Sequence, residues 1–240
     1  MKHLPNAVTL ANLFLGAVAL VLAIEGQPQL SAILIAICAV LDFSDGMLAR
    51  LLNARSELGQ QLDSLADLVS FGMAPAGILY HYLQGAVHGL NPQALQNVLP
   101  FAAFFLAVFA GLRLAIFNID TRQTRSFIGL PTPANAAFFA SLPFVLAFAG
   151  HQGFIFRWVE IITQSWIWLL LLLALFSVLM VAPIPMFSLK IKNLSWQENR
   201  APYIFAALIL ISLIIFGLQA VALIVFFYLI LSLLFAASAK

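Results

Sequence analysis

Cysteine is almost missing from this chain: Cys38 is the only one in 240 residues. That excludes an internal disulfide and any cysteine-based zinc site. Charge is scarce as well. Charged residues make up 8% of the sequence and apolar residues 63%, where a soluble domain carries about 25% and about 45–50%. So little polar surface cannot cover a water-soluble monomer of this size. So much apolar side chain excludes a disordered one. Eleven Lys and Arg against nine Asp and Glu leave a net charge of +2, too small a surplus to argue for nucleic acid as a partner. His3, His81, His88 and His151 show no ligand spacing. What the chain has in quantity is the long apolar run, and it reads as an integral membrane protein.

The runs and their polar breaks predict eight transmembrane helices, at about 6–25, 29–52, 60–83, 95–118, 133–150, 160–182, 202–217 and 219–237. The last two come from one apolar stretch, Tyr203 to Ser238, about twice as long as a bilayer needs. It is divided at Gly217–Gln219. The expected fold is all-α: a polytopic helical bundle forming one membrane domain over 1–240, with a core at about 4–190 and extra helices at about 202–237. Early Pro5, Asn6, Thr9 and Asn12 make the first segment a span rather than a cleaved leader. With the N-terminus inside, Lys2, Arg50, Arg55, Arg113, Arg122, Arg125, Lys190, Lys192, Arg200 and Lys240 fall on the cytoplasmic side, and Arg157 alone falls outside. That asymmetry obeys the positive-inside rule and predicts an inner-membrane protein.

Four carboxylates lie inside these spans: Asp42, Asp45, Asp63 and Asp67. Each costs about 2.5–3.5 kcal/mol at a bilayer centre, so something must neutralise them. Asp42 and Asp45 share one face of the second segment at i, i+3, and Asp63 and Asp67 share one face of the third at i, i+4. The segments are antiparallel about a short link. At 1.5 Å per residue, Asp45 and Asp63 are roughly level, as are Asp42 and Asp67, all within about 12 Å of the cytoplasmic ends. Arg50 and Arg55 cannot balance four anions. Clustered hard oxygens without His or Cys select Mg²⁺, Mn²⁺ or Ca²⁺. An ion pathway would also use intramembrane acids, but helices 4 to 8 carry almost no polar groups at their centres. Gly46, Ala49 and Gly59 clear bulk beside the acids, as a phosphate-bearing ligand bridged by a metal requires. Small residues also serve close helix packing.

The pattern Asp42-x2-Asp45-Gly46-x2-Ala49-Arg50-x8-Gly59-x3-Asp63-x3-Asp67 resembles in full the signature of the CDP-alcohol phosphotransferases. Flanking segments are similar to the phosphatidylserine synthase branch. They are Leu4-Pro5-Asn6 through Gly16, Asp63 through Gly72 with Ala74-Pro75, Arg113-Leu114-Ala115 with Phe117-Asn118, and Gly129-Leu130-Pro131. A weaker echo runs from Met186 to Lys190. Ile116 stands where that branch usually has a basic residue.

The resemblance implies transfer of a phosphatidyl group from CDP-diacylglycerol to L-serine by a homodimer of six-helix cores whose sites open to the cytoplasmic leaflet. Acceptors such as glycerol phosphate or an inositol phosphate are the alternatives within the family. It also implies that Asp42, Asp45, Asp63 and Asp67 hold Mg²⁺ or Mn²⁺. Asn6, Thr9, Gly46, Ala49, Arg50, Ser56 and Gly59 would line the CDP-diacylglycerol site. Position does not choose between Asp42 and Asp67 as general base; the resemblance gives Asp67. Arg113, Asn118 and Lys190 are candidates for the acceptor carboxylate or a lipid phosphate, the guanidinium offering a bidentate fork. The competing reading of Arg113 is an arginine snorkelling to the interface.

Overall fold

Proline begins several of the helices, at first-turn positions where its missing N–H would have no partner anyway. In the computed structural model, which describes residues 3–54, 56–120, 127–150, 152–187, 196–197 and 199–237, Pro5 opens α1 (Leu4–Ile24) and Pro28 opens α2 (Pro28–Leu51). α3 (Glu57–Ala86) is continuous, with a π-helical turn at Leu68–Met73. α4 spans Gln93–Ile119, and α5 (Thr132–Phe148) again has proline in its first turn. α6 (Phe154–Thr163), α7 (Trp166–Val181), α8 (Arg200–Phe216) and α9 (Ile224–Ala237) complete the bundle.

Most expected boundaries fall within a few residues of these. Two features differ. The expected single helix at 160–182 is two helices meeting at 95°. Thr163, Gln164 and Ser165 interrupt the apolar run, and α6 turns across the direction of α7. Among the described residues there is also a short β-pair that an all-helical reading does not contain, Phe127–Ile128 antiparallel to Pro185–Met186. Gly129 leaves that pair with φ +79°, and a Cβ there would lie 2.4 Å from the Met180 carbonyl oxygen. This close approach explains the glycine of Gly129-Leu130-Pro131.

The division of the last apolar stretch holds. Gly217 has φ +57° and ψ −141° at the end of α8, and a short 3₁₀ segment, Gly217–Leu223, leads into α9. The Phe205 and Tyr228 rings are 6.0 Å apart; in one straight helix they would be separated by about 34 Å. The stretch is a hairpin.

Two apolar clusters hold the bundle. Ala19, Ala23, Ala32, Ile35, Cys38 and Phe71 join α1, α2 and α3, their small side chains letting the backbones approach closely. Cys38 is fully buried there, as a core residue. The second cluster centres on Phe138, Phe139 and Phe176, with Phe138 stacked on Phe176 at 4.3 Å. With α1 to α4 each long and apolar enough to cross a membrane, the chain is an integral membrane protein.

Candidate active site

The helix-forming stretch after the Ala54 turn begins with Ser56, whose hydroxyl oxygen accepts the Gly59 N–H at 3.0 Å and caps α3. This cap fixes the first turn of α3 beside the end of α2. Asp63 follows two turns into α3, and Asp67 one turn further. The π-turn then adds a residue per turn just beyond Asp67, presenting Ser70 to α1 and Gly72 to α4. Ser70 donates to Asn12 Oδ1 at 2.8 Å. A Cβ on Gly16 would lie 2.2 Å from Ser70 Oγ. α1 and α3 are thus locked at one depth.

Asp42, Asp63 and Asp67 each present a carboxylate oxygen within 4.8 Å of the others. Asp45 stands beside this trio. Its Oδ2 accepts a 2.6 Å hydrogen bond from Thr9, and it interacts electrostatically with Asp42, Asp63 and Asp67. Four like charges in a low-dielectric span repel strongly. Asp67 Oδ1 is buried with no hydrogen-bond partner, a costly arrangement unless a cation supplies the missing contact. Acceptor-only oxygens at this spacing fit a hard divalent ion.

Next to the carboxylates lies a cavity of ≈ 270 Å³. Asn6, Thr9, Gly46, Ala49, Ser56 and Gly59, all expected at the substrate, line it together with Asp45 and Asp63. A Cβ on Gly46 would meet nothing within 4 Å, so that glycine borders open space instead of a packed neighbour. A Cβ on Gly59 would crowd Asn6 Oδ1 at 3.1 Å. The cavity also faces the N-terminal turn of α3, whose positive dipole end suits an anion such as a phosphate. Arg50 is exposed and does not line the cavity. Pro5, Ala54 and Gln60 line it without having been singled out; their neighbours in the motif were the available signal.

Arg113 is 4% exposed, so it does not snorkel. Its guanidinium lies 5.3 Å from the Phe117 ring centroid, and Nε is buried without a hydrogen-bond partner. The register of α4 on α3 sets its depth. Asn118 Nδ2 donates to Ser64 Oγ at 2.9 Å, and a Cβ on Gly72 would meet Ala110 at 3.0 Å. Between those contacts Arg113 is level with Val69, half a turn beyond Asp67. Lys190, Arg55, Arg122 and Arg125 lie outside the described residues.

The CDP-alcohol phosphatidyltransferase family profile matches residues 2–166. A CDP-diacylglycerol–serine O-phosphatidyltransferase of Helicobacter pylori is 40% identical over 134 residues, covering 55% of this chain and 53% of that protein. One of Mycobacterium leprae is 38% identical over 143 residues, 57% of this chain and 45% of the relative. One of Bacillus subtilis is 34% identical over 137 residues, 55% and 71%. The chain spans about half the length of the first two. Because the matched region runs over more than half of the sequence and takes in every carboxylate of the cluster, the chain belongs to the CDP-alcohol phosphatidyltransferase family.

Proposed function

We propose that the protein transfers the phosphatidyl group of CDP-diacylglycerol to the hydroxyl of L-serine, giving phosphatidylserine and CMP. The observation that carries this reading is the carboxylate trio opening beside a cavity floored by small residues. The names of the relatives supply the acceptor. Asp42, Asp63 and Asp67 would hold Mg²⁺ or Mn²⁺, with Asp45, steadied by Thr9, completing the charge around it. Such an ion, when bound, screens the pyrophosphate and stabilises the departing CMP phosphate.

The chain's own residues account for the rest. Gly46, Ala49 and Gly59 leave room for the nucleotide; Asn6, Ser56 and the first turn of α3 offer polar contacts to its phosphates. Arg50, exposed one residue beyond Ala49, would meet the solvent-facing end of the ligand. Asp67 takes the serine hydroxyl proton as that oxygen bonds to the phosphatidyl phosphorus, and the bond from phosphorus to the bridging oxygen breaks, releasing CMP. Arg113, Asn118 and Lys190 serve the acceptor carboxylate or a lipid phosphate. The lipid tails need no carrier, since the cluster lies near the interface. The site faces the cytoplasmic leaflet of the inner membrane, by the charge asymmetry of the loops, and the active form is a homodimer.

The test is direct. Protein purified in detergent, given CDP-diacylglycerol and Mn²⁺, should release CMP on addition of serine and not of glycerol phosphate or inositol phosphate. EDTA should stop it. CMP release that requires another alcohol would replace serine as acceptor, and no release with any alcohol would reject the enzyme reading.

A further inference from the structure

α5 carries a polar side chain that the proposed reaction does not yet use. Asn135 is 0% exposed, and neither its Nδ2 nor its Oδ1 has a hydrogen-bond partner among the described residues. A carboxamide brings two N–H donors and one carbonyl acceptor. Buried with all of them unmet, it lowers the stability of the fold. Packing alone does not call for it, since leucine has nearly the same shape.

The position of Asn135 says what would meet those groups. α5 ends next to α6, whose Thr163 lines a cavity with His88 at the far end of α3, so α5 starts on the carboxylate side of the bundle. There it packs along α2 and against the π-turn of α3. Ala136, next to Asn135, shares one apolar cluster with Cys38 and Phe71. Cys38 is four residues from Asp42 and Phe71 four from Asp67, one helical turn in each case. On another stripe of α5, Phe139 belongs to the cluster that includes Ala110 of α4. Asn135 lies one turn from Phe139 and Arg113 one turn from Ala110, both toward the carboxylates. Leu130 and Met186, beside the β-pair, belong to that same cluster. Asp67 Oδ1, Arg113 Nε and the Asn135 amide thus come from three helices, each one turn from the packing that joins them. None has a hydrogen-bond partner among the described residues. A polar ligand supplies at once what all three lack.

We propose that Asn135 binds the acceptor, its carbonyl oxygen receiving the ammonium group of an α-amino acid whose carboxylate goes to Arg113. This rests on the proposed function and gives a reason for an amino acid as acceptor. L-Serine presents a hydroxyl for Asp67, a carboxylate for the guanidinium and an ammonium for a neutral oxygen. Nδ2 of the same amide is left to donate to the carboxylate. An aspartate at 135 would add a fifth negative charge beside the cluster, and the neutral amide avoids that repulsion. Glycerol phosphate and inositol phosphate offer no ammonium.

The experiment measures CMP release against acceptor concentration for full-length wild type, Asn135→Leu and Asn135→Ala, each with its thermal midpoint. The acceptors are L-serine and 3-hydroxypropionate, which keeps the hydroxyl and the carboxylate and lacks the ammonium. Asn135→Leu should raise KM for serine about tenfold, the worth of one hydrogen bond to a charged group. Changes in kcat and in KM for CDP-diacylglycerol should stay below about threefold. KM for 3-hydroxypropionate, or its inhibition constant against serine, should stay within the same range. The midpoint should hold or rise, because leucine removes an unmet amide and leaves no void. Weaker serine binding with undiminished stability is not what the loss of a structural residue gives. Asn135→Ala opens space and should lower the midpoint, yet raise KM for serine as the leucine does. Unchanged KM for serine in both variants, an equal rise for 3-hydroxypropionate, or a lower midpoint in Asn135→Leu at constant KM would each overturn the proposal. Wild type that uses only an acceptor without an amino group overturns the proposed function. Serine use by wild type with unchanged KM in the variants overturns the role of Asn135 alone.

Discussion

In the proposed reaction Asp67 would both hold a cation and take a proton, and its Oδ1 is buried without a hydrogen-bond partner among the described residues. Asp67→Asn keeps the shape and removes the base. CMP release should fall by about a thousandfold, with CDP-diacylglycerol still bound; a loss below tenfold would reject Asp67 as base. Asp42→Asn takes one ligand from the trio, so half-maximal activation should need about tenfold more Mn²⁺; an unchanged metal titration would remove Asp42 from the ligand set. Much of this was legible in the sequence, because i, i+3 and i, i+4 spacings fix a helix face and the short link fixes the antiparallel pairing. The separate place of Asp45 was not. Its Thr9 partner is 36 residues away, and no spacing within one helix reveals a bond between two.

Glycines decide matters at the scale of helices, in opposite ways. Gly16 faces Ser70 with no room for a methyl group; Gly16→Ala should push α1 from α3, cost about 1–3 kcal/mol and lower the thermal midpoint and activity together. Gly46 borders open space, so Gly46→Ala should keep the midpoint and raise KM for CDP-diacylglycerol. A lowered midpoint in Gly46→Ala would show that it packs and does not make room. The helices themselves were readable from apolar length, and the hairpin from a glycine at its turn. The 95° break was not, because neither Pro nor Gly marks it; the polar trio Thr163, Gln164 and Ser165 was the sole local sign. What pins α6 is remote: Gln219 accepts the Phe156 N–H at 3.2 Å and donates to the carbonyls of Ala149 and Gln152.

The whole molecule has an orientation to be measured. Cys38 is the single cysteine and is buried, so introduced thiols can be read against a quiet background. An impermeant maleimide should label Gln152→Cys in sealed spheroplasts and Glu57→Cys only in inverted vesicles; the reverse pattern would turn the site to the other leaflet. Arg113 shows why the molecule is harder to read than its parts. It is 4% exposed in the folded chain, and sequence alone reads it equally well as a surface arginine. The helices also divide by length. α1 to α4 have 21 to 30 residues, whereas α5, α7 and α8 have 17, 16 and 17, about 24–26 Å at 1.5 Å each against a hydrocarbon core of about 30 Å. Long and short helices pack side by side, α5 against α2 and α7 against α4. Where a short helix meets lipid the bilayer must thin, and acyl-chain length thereby becomes a condition of how comfortably the protein sits.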